Sequence, residues 1–443
     1  MQHEKFHYKD LTQLRAELER LGISLPLSEN LACLQEPLTL QDGHTVQGRI
    51  AIQPMEGCDG NADGSPAELT LRRYRRFAGS GAGLIWAEAV AVTPEGRANP
   101  RQLWLTEDNL DAFKAMTEQI REISLKENGF APLIILQATH SGRYSKPTGT
   151  PAPIIAYQNP LFEKDAPIDP ARIITDDRLK ELEEAYGKTA RLAEAAGFDG
   201  VDIKACHRYL VSELLSAYNR PGAYGGSFEN RTRFYRNALS SAKAHVSGRM
   251  LITSRLNVYD GFPYPYGFGV SPAGGLQPDL AEPIRLVKAL REEMGMELLD
   301  ITIGNPYVNP HVNRPYDAGP YVPEEHPLEG VARMFACIGQ IARAVPGMKI
   351  ISSGHSYLRQ LAPYLAAGAV ETGVSAMAGF GREFFAYPDF PRDLFKTGAL
   401  APEKCCIACG KCSELMRAGS MAGCVVRDAE TYLPLYQRDV LKR

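Results

Sequence analysis

The sequence predicts an α/β chain that closes into a TIM (β/α)8 barrel, with an N-terminal extension and a cysteine-rich C-terminal segment. Three observations carry the prediction. Short apolar runs alternate eight times with longer amphipathic ones. The apolar runs lack a polar face, as strands buried on both sides do. A right-handed βα crossover repeated eight times can close a parallel sheet and remove its edges. A doubly wound open sheet is the alternative, but no G-x-G-x-x-G follows the first strand.

The predicted strands are residues 49–53 (RIAIQ), 83–90 (GLIWAEAV), 132–137 (PLIILQ), 200–205 (GVDIKA), 250–256 (MLITSRL), 298–303 (LLDITI), 349–353 (KIISS) and 372–377 (TGVSAM). Helical patterns fill the gaps. Over 178–196, Leu179, Leu182, Tyr186, Ala190 and Ala193 recur on one face, and Gly197 is placed to end the run. A helix after Thr106 has that residue as N-cap, with Leu105 and Leu110 spaced as a hydrophobic staple. The expected division is a barrel over 1–400, including the extension 1–45, and a cysteine-rich segment over 401–443.

Composition narrows the function classes. With 44% apolar and 23% charged residues the chain is ordinarily globular, and a net charge of -3 without a basic block argues against nucleic acid. No apolar stretch approaches the roughly 18 residues that span a bilayer, and the N-terminus lacks a secretory pattern. Nine cysteines, five of them clustered, do not form an extracellular disulfide framework. A soluble cytoplasmic protein is the expectation.

If the barrel is right, function lies after the strands' C-terminal ends. The first strand runs into PMEGCDG, the third into QATHSGRY and the fourth into KACHRYL; the fifth supplies Arg255. The seventh runs into SSGHS and the eighth into AGFGREFF. Glycines there let backbone N–H groups approach an anion, and Arg382 adds a charge-assisted donor. The plain alternative is that Gly354, Gly379 and Gly381 only permit tight turns. Cys406, Cys409, Cys412 and Cys424 follow C-x2-C-x2-C-x11-C. Such thiolates suit an iron–sulfur cluster or zinc, and an empty set of thiols is the third reading.

Six segments, RIAIQPM, LQATHSGRYSKP, AAGFDGVDIKACHRYL, YGGSFENRTRF, GFGREFFAYPDF and the cysteine cluster, stand in one order over residues 49–428. In that order they resemble the old yellow enzyme family of NAD(P)H:flavin oxidoreductases, in particular the branch of bacterial 2,4-dienoyl-CoA reductases. The resemblance implies FMN across the barrel mouth, with Pro54, Met55 and Glu56 beside it, and Gln137 on its pyrimidine ring. Arg255 would face the N1/O2 edge, while Gly354, Gly381 and Arg382 would hold the phosphate. It also implies a substrate grip by Lys204 and His207 and protonation by Tyr209. Gln137 and Arg255 could instead be buried partners of carboxylates, and Lys204 an ion pair of Glu56.

Lys204 departs from the family's usual His, and Arg208 stands where glycine is usual, which bears on substrate class. Long members of the branch carry a 4Fe–4S cluster after the barrel, with three residues where this chain has two in the middle gap; Cys405 could compensate. They continue into FAD and NAD(P) domains for which this chain has no counterpart. Two long loops rich in Tyr, Phe, Pro and Gly, after the fifth and sixth strands, suit a flat apolar substrate, with His311 as an auxiliary donor. The leading expectation is an ene-reductase acting on an enone, enoate or dienoyl group. An oxidative demethylase or amine dehydrogenase is the runner-up, and a Schiff-base lyase using Lys204 comes third. Expected partners are a small unsaturated molecule and NAD(P)H, with a separate electron-donor protein and a second copy of the chain as macromolecular candidates.

Overall fold

The computed structural model describes residues 2–442. Eight parallel strands close into a barrel: β1 (Ile50–Ile52), β2 (Leu84–Ala91), β3 (Leu133–Thr139), β4 (Gly200–Ile203), β5 (Leu251–Asn257), β6 (Leu298–Thr302), β7 (Lys349–Ser352) and β8 (Met377–Phe380). Closure is made by β8 on β1, with Ala378, Gly379 and Phe380 opposite Ile50, Ala51 and Ile52. Almost every strand residue is buried on both faces, which is why these runs read as continuous rather than alternating.

Two apolar layers result. Inside the barrel, Ala51, Leu84, Trp86, Ile135, Leu251, Leu298, Ile351 and Met377 pack together, and Leu38, Leu40 and Val46 from a short antiparallel ribbon (Leu38–Thr39 with Thr45–Val46) close its N-terminal end. Outside, helices such as Leu110–Asn128, Asp176–Ala195 and Phe228–Ala244 bury one face against the strands. Asp176–Ala195 starts on a Thr175 cap and places Leu179, Leu182, Tyr186, Ala190 and Ala193 inward, as its periodicity predicts. No helix among the described residues is long and apolar enough to cross a membrane.

Two expectations are corrected. The last strand is Met377–Phe380, not 372–377, because the preceding helix runs to Glu371 and Thr372 with Gly373 (φ 68°) makes its C-terminal turn. Gly379, read as a loop glycine, lies in β8. A Cβ there would come within 2.6 Å of Gln53 Nε2 and 2.7 Å of the Ser352 carbonyl, so the strand can pass only without a side chain. The helix after β2 begins at Leu110 behind Asn109; Thr106 is no cap, and its N–H is held by Asn109 Oδ1 at 2.9 Å.

Candidate active site

The C-terminal strand ends open into one cavity of about 970 Å³. All eleven residues singled out for cofactor and substrate line it: Pro54, Met55, Glu56, Gln137, Lys204, His207, Tyr209, Arg255, Gly354, Gly381 and Arg382. Eight segments of chain converge on this space, as the C-terminal face of a barrel permits.

The loop after β1 is fixed from below. Arg73 is buried between Asp59 and Glu88, and Gly57 N–H donates to Glu88 Oε2 at 2.9 Å. A Cβ on Gly57 would lie 2.0 Å from Arg73 Nη1, so only glycine fits, and Glu56 beside it is carried on rigid backbone. From β4, Lys204 Nζ sits 3.4 Å from Glu56 Oε1 and 3.8 Å above the centre of the Tyr209 ring. Tyr209 Oη donates to Glu56 Oε1 at 3.2 Å and meets Tyr307 Oη at 2.7 Å. The Tyr307 ring in turn stacks on Tyr144 at 4.0 Å. Burial, then the Glu56 charge, push the Tyr209 phenol well above its ordinary range, so it is a proton carrier and not a phenolate.

His207 and Arg208 both occupy the left-handed region, at φ 62° and 54°. That explains why glycine suits position 208, and what holds an arginine there instead. Arg208 is fully buried, turned away from the cavity, and bonded to Asp260 Oδ2 (3.0 Å), the Tyr266 carbonyl (2.8 Å) and Tyr157 Oη (2.9 Å). It pins the loops after β3, β4 and β5 together and does not touch substrate space, which corrects its reading as a specificity position. His207 does face the cavity, and its buried Nε2 has no partner among the described residues. Burial first, then the Arg255, Lys204 and Arg314 charges, drive its basicity far down, so the imidazole is neutral.

Gln137 and Arg255 both line the cavity and both lie against buried carboxylates. Gln137 donates to Asp202 Oδ2 at 2.6 Å, an oxygen that also accepts from Trp86 Nε1 at 2.8 Å. Arg255 Nε lies 3.1 Å from Asp300 Oδ2, off the line of a hydrogen bond. Gln53 Nε2 donates to Asp300 Oδ1 at 3.0 Å. Buried carboxylates thus orient both side chains while their cavity faces stay open. Burial raises Asp202 to about 7 and Asp300 to about 6.

The other end of the cavity has a different character. Gly354 (φ 94°) and Gly381 bring bare backbone to its wall, and a Cβ on Gly381 would fall 2.8 Å from Met55 Sδ. Arg382 donates to the Pro315 carbonyl at 3.1 Å, and Arg314 donates to Ser413 Oγ at 2.7 Å. Neither guanidinium forms an ion pair among the described residues. Burial and the Arg382 charge pull Arg314 down to about 10. Buried Arg382 and half-buried Arg314, both without counter-ions among the described residues, beside open backbone, fit the phosphate of a bound mononucleotide.

Sequence reasoning missed Arg314 and Tyr307, which come from the long loop after β6. A basic residue in the Pro-rich loop NRPYD was the only signal for Arg314. His311, in contrast, faces away and hydrogen-bonds Tyr321 Oη at 2.6 Å, so it is no auxiliary donor.

The C-terminal segment forms part of the same cavity. Cys412, Ser413, Met416 and Ala422 make one wall, and Ala422 N–H reaches the Gly57 carbonyl at 2.7 Å. Behind this wall Cys406, Cys409, Cys412 and Cys424 line a second space of about 380 Å³. All are free thiols. Backbone N–H groups of Ala408 and Arg427 point at the sulfurs of Cys406 and Cys424, at 3.4 and 3.3 Å. Cys405 does not line this space; its Sγ turns to the Ala401 carbonyl at 3.4 Å. No three of the four sulfurs lie within 4.8 Å of one another among the described residues. A single tetrahedral zinc, with Zn–S of about 2.3 Å, would draw them to roughly 3.8 Å.

Residues 33–399 match the model of the NADH:flavin oxidoreductase / NADH oxidase family. The chain belongs to this family. Among curated relatives, the NADPH dehydrogenase of Bacillus licheniformis is 30% identical over 269 residues, 59% of this chain and 70% of that protein. That of a Geobacillus species is 28% identical over 79% of this chain and 98% of its own. The old yellow enzyme homologue of Zymomonas mobilis superposes with a TM-score of 0.63 at 24% identity, over 84% of this chain and 94% of its own. A 2-naphthoyl-CoA reductase superposes at 0.71 and 20% identity over 89% of this chain, which spans 57% of that longer one. As a member of the old yellow enzyme family the protein is an FMN-dependent NAD(P)H oxidoreductase.

Proposed function

We propose that this old yellow enzyme family member reduces an activated C=C bond, of enone, enoate or dienoyl type, with electrons from NAD(P)H. The observation that carries the reading is a single cavity with Arg314 and Arg382, neither ion-paired among the described residues, at one end and a neutral His207 beside a protonated Tyr209 at the other. FMN, when bound, supplies hydride to the electrophilic carbon. Arg314, Arg382 and the backbone at Gly354 and Gly381 would hold its phosphate. Pro54, Met55 and Gln137 would flank the ring, and Arg255, steadied by Asp300, would balance negative charge at the pyrimidine edge.

His207 is the freer of the two groups that could polarise a substrate carbonyl, since the Lys204 ammonium is already engaged by Glu56 and the Tyr209 ring. Tyr209 Oη would deliver the proton. The Tyr144 and Tyr307 rings favour a flat substrate. The Lys204 ion pair speaks against a Schiff-base lysine, which needs a free amine.

The spread of the four sulfurs and the N–H groups aimed at two of them favour a 4Fe–4S cluster over zinc in the second space. Its ligands would be Cys406, Cys409, Cys412 and Cys424. The shared Cys412 wall supports electron exchange with the main cavity, whether from NADPH or from a separate donor protein.

The test is anaerobic purification followed by reduction of the oxidised protein with NADPH or with a methylated amine series, and reoxidation of the NADPH-reduced protein with 2-cyclohexenone. A yellow flavin spectrum bleached by NADPH and restored by the enone is expected. Folded, colourless protein that refuses FMN, or a flavin bleached by amines and not restored by the enone, overturns the reading. Iron and acid-labile sulfide in equal amounts are expected on the same sample, and zinc without iron overturns the cluster.

A further inference from the structure

Tyr209 can donate a proton once, and its hydroxyl is then stranded. The residue is 2% exposed, and its oxygen meets only Glu56 Oε1 and Tyr307 Oη. Glu56 occupies a boundary. It lines the main cavity and also a second, outer cavity rimmed by Asn99, Lys146 and Arg417. Its carboxylate is therefore in contact with the donor on one side and with the route to solvent on the other.

We propose that Glu56 is a positioning residue that returns a proton from solvent to Tyr209 after each reduction, an inference that rests on the ene-reductase reading above. In the reduction the Tyr209 O–H bond breaks as a C–H bond forms on the substrate, the hydride and its two electrons having come from NAD(P)H by way of FMN. Water of the outer cavity then protonates the Glu56 carboxylate, and the carboxyl so formed passes that H+ to the Tyr209 phenolate and returns to carboxylate, so one solvent proton replaces the one given to substrate. A carboxylic acid is a stronger acid than a phenol by about 5.7 pK units at the reference values, so the transfer to Tyr209 is strongly downhill. Tyr307, which also touches the outer cavity, is a phenol and lacks that advantage. It serves by donating its hydrogen bond to the Tyr209 oxygen, which frees the Tyr209 proton to turn from Glu56 toward substrate. Lys204 holds the Glu56 carboxylate in place between turnovers.

The experiment uses FMN-loaded Glu56→Gln protein, pre-reduced with NADPH and mixed with 2-cyclohexenone. The first turnover is expected within about twofold of the parent, while steady-state turnover falls by about tenfold or more and is restored by added acetate. Glu56→Asp, which keeps a carboxyl, is expected to sustain turnover closer to the parent and serves if the glutamine variant folds poorly. In FMN-free protein, Glu56→Gln should lower the pH at which Tyr209 ionises, seen by ultraviolet difference titration against Tyr209→Phe. The groups facing that phenol are Lys204, Tyr307 and Cys58 besides Glu56, and all are retained. A first turnover slowed as much as the steady state, no change in either, or a multiple-turnover defect found in Tyr307→Phe and not in Glu56→Gln overturns the proposal. A normal first turnover in Tyr209→Phe overturns the donor role of Tyr209 itself, a separate failure.

Discussion

The two ends of the main cavity handle charge in opposite ways. At the reactive end every charged side chain has a protein partner: Lys204 has Glu56, and Arg255 has Asp300. At the other end half-buried Arg314 and buried Arg382 hydrogen-bond only neutral oxygens among the described residues. An end that is complete without a ligand keeps catalytic groups in register through each cycle. An end left with uncompensated charge invests its electrostatics in the ligand, because the anion that arrives there finds donors already desolvated and aimed.

The contrast breaks most visibly if both cations are removed. Arg314→Ala combined with Arg382→Ala should weaken FMN binding by about 100-fold or more, at about 1.5–3 kcal/mol for each charge-assisted contact, measured by quenching of flavin fluorescence. Thermal stability of the FMN-free protein should hold or rise, since two like charges leave a buried site. At the paired end the pattern should reverse. Lys204→Met leaves the Glu56 carboxylate without its cation and should cost about 1–3 kcal/mol in urea unfolding of the FMN-free protein. Its effect on FMN affinity should stay within about threefold, because Lys204 pairs with Glu56 and with neither arginine.

The smallest effect sharpens the comparison through pH. Burial raises Asp202 from 3.8 to about 7, so its proton stabilises the folded state relative to the unfolded one. That contribution is complete below about pH 4 and is lost as pH climbs through about 7. Asp202→Asn cannot titrate, so parent minus variant stability should decline across that window and level off above it. A flat difference would show that Gln137 and Trp86 hold an ionised carboxylate.

The barrel was legible because strands buried on both faces leave unbroken apolar runs, and because glycines such as Gly197 end helices where periodicity stops. The eighth strand was displaced in the reading because Gly379 looks like a turn. Its reason for being glycine, the close approach of Gln53 and the Ser352 carbonyl, belongs to a neighbouring strand and cannot be seen along one chain. The site residues on strand ends, such as Gln137 and Arg255, were found because barrel geometry says where to look. Arg314 and Tyr307 sit in an aperiodic loop, where position is fixed by long-range packing rather than by spacing. The cysteine spacing spoke of ligands, yet not of the wall that Cys412, Ser413, Met416 and Ala422 build over the barrel mouth.

That wall has a consequence for biosynthesis. Translation delivers the eight strands before it delivers residues 405–424, and domains generally fold as they emerge. The nascent barrel is then an open bowl into which a flavin nucleotide can drop unhindered, and the later emergence of residues 405–424 fits the cover. Retention of the cofactor is in this way tied to synthesis of that wall: a chain stopped before residue 405 should trade its flavin freely with the surrounding pool, and one carried past residue 424 should keep it.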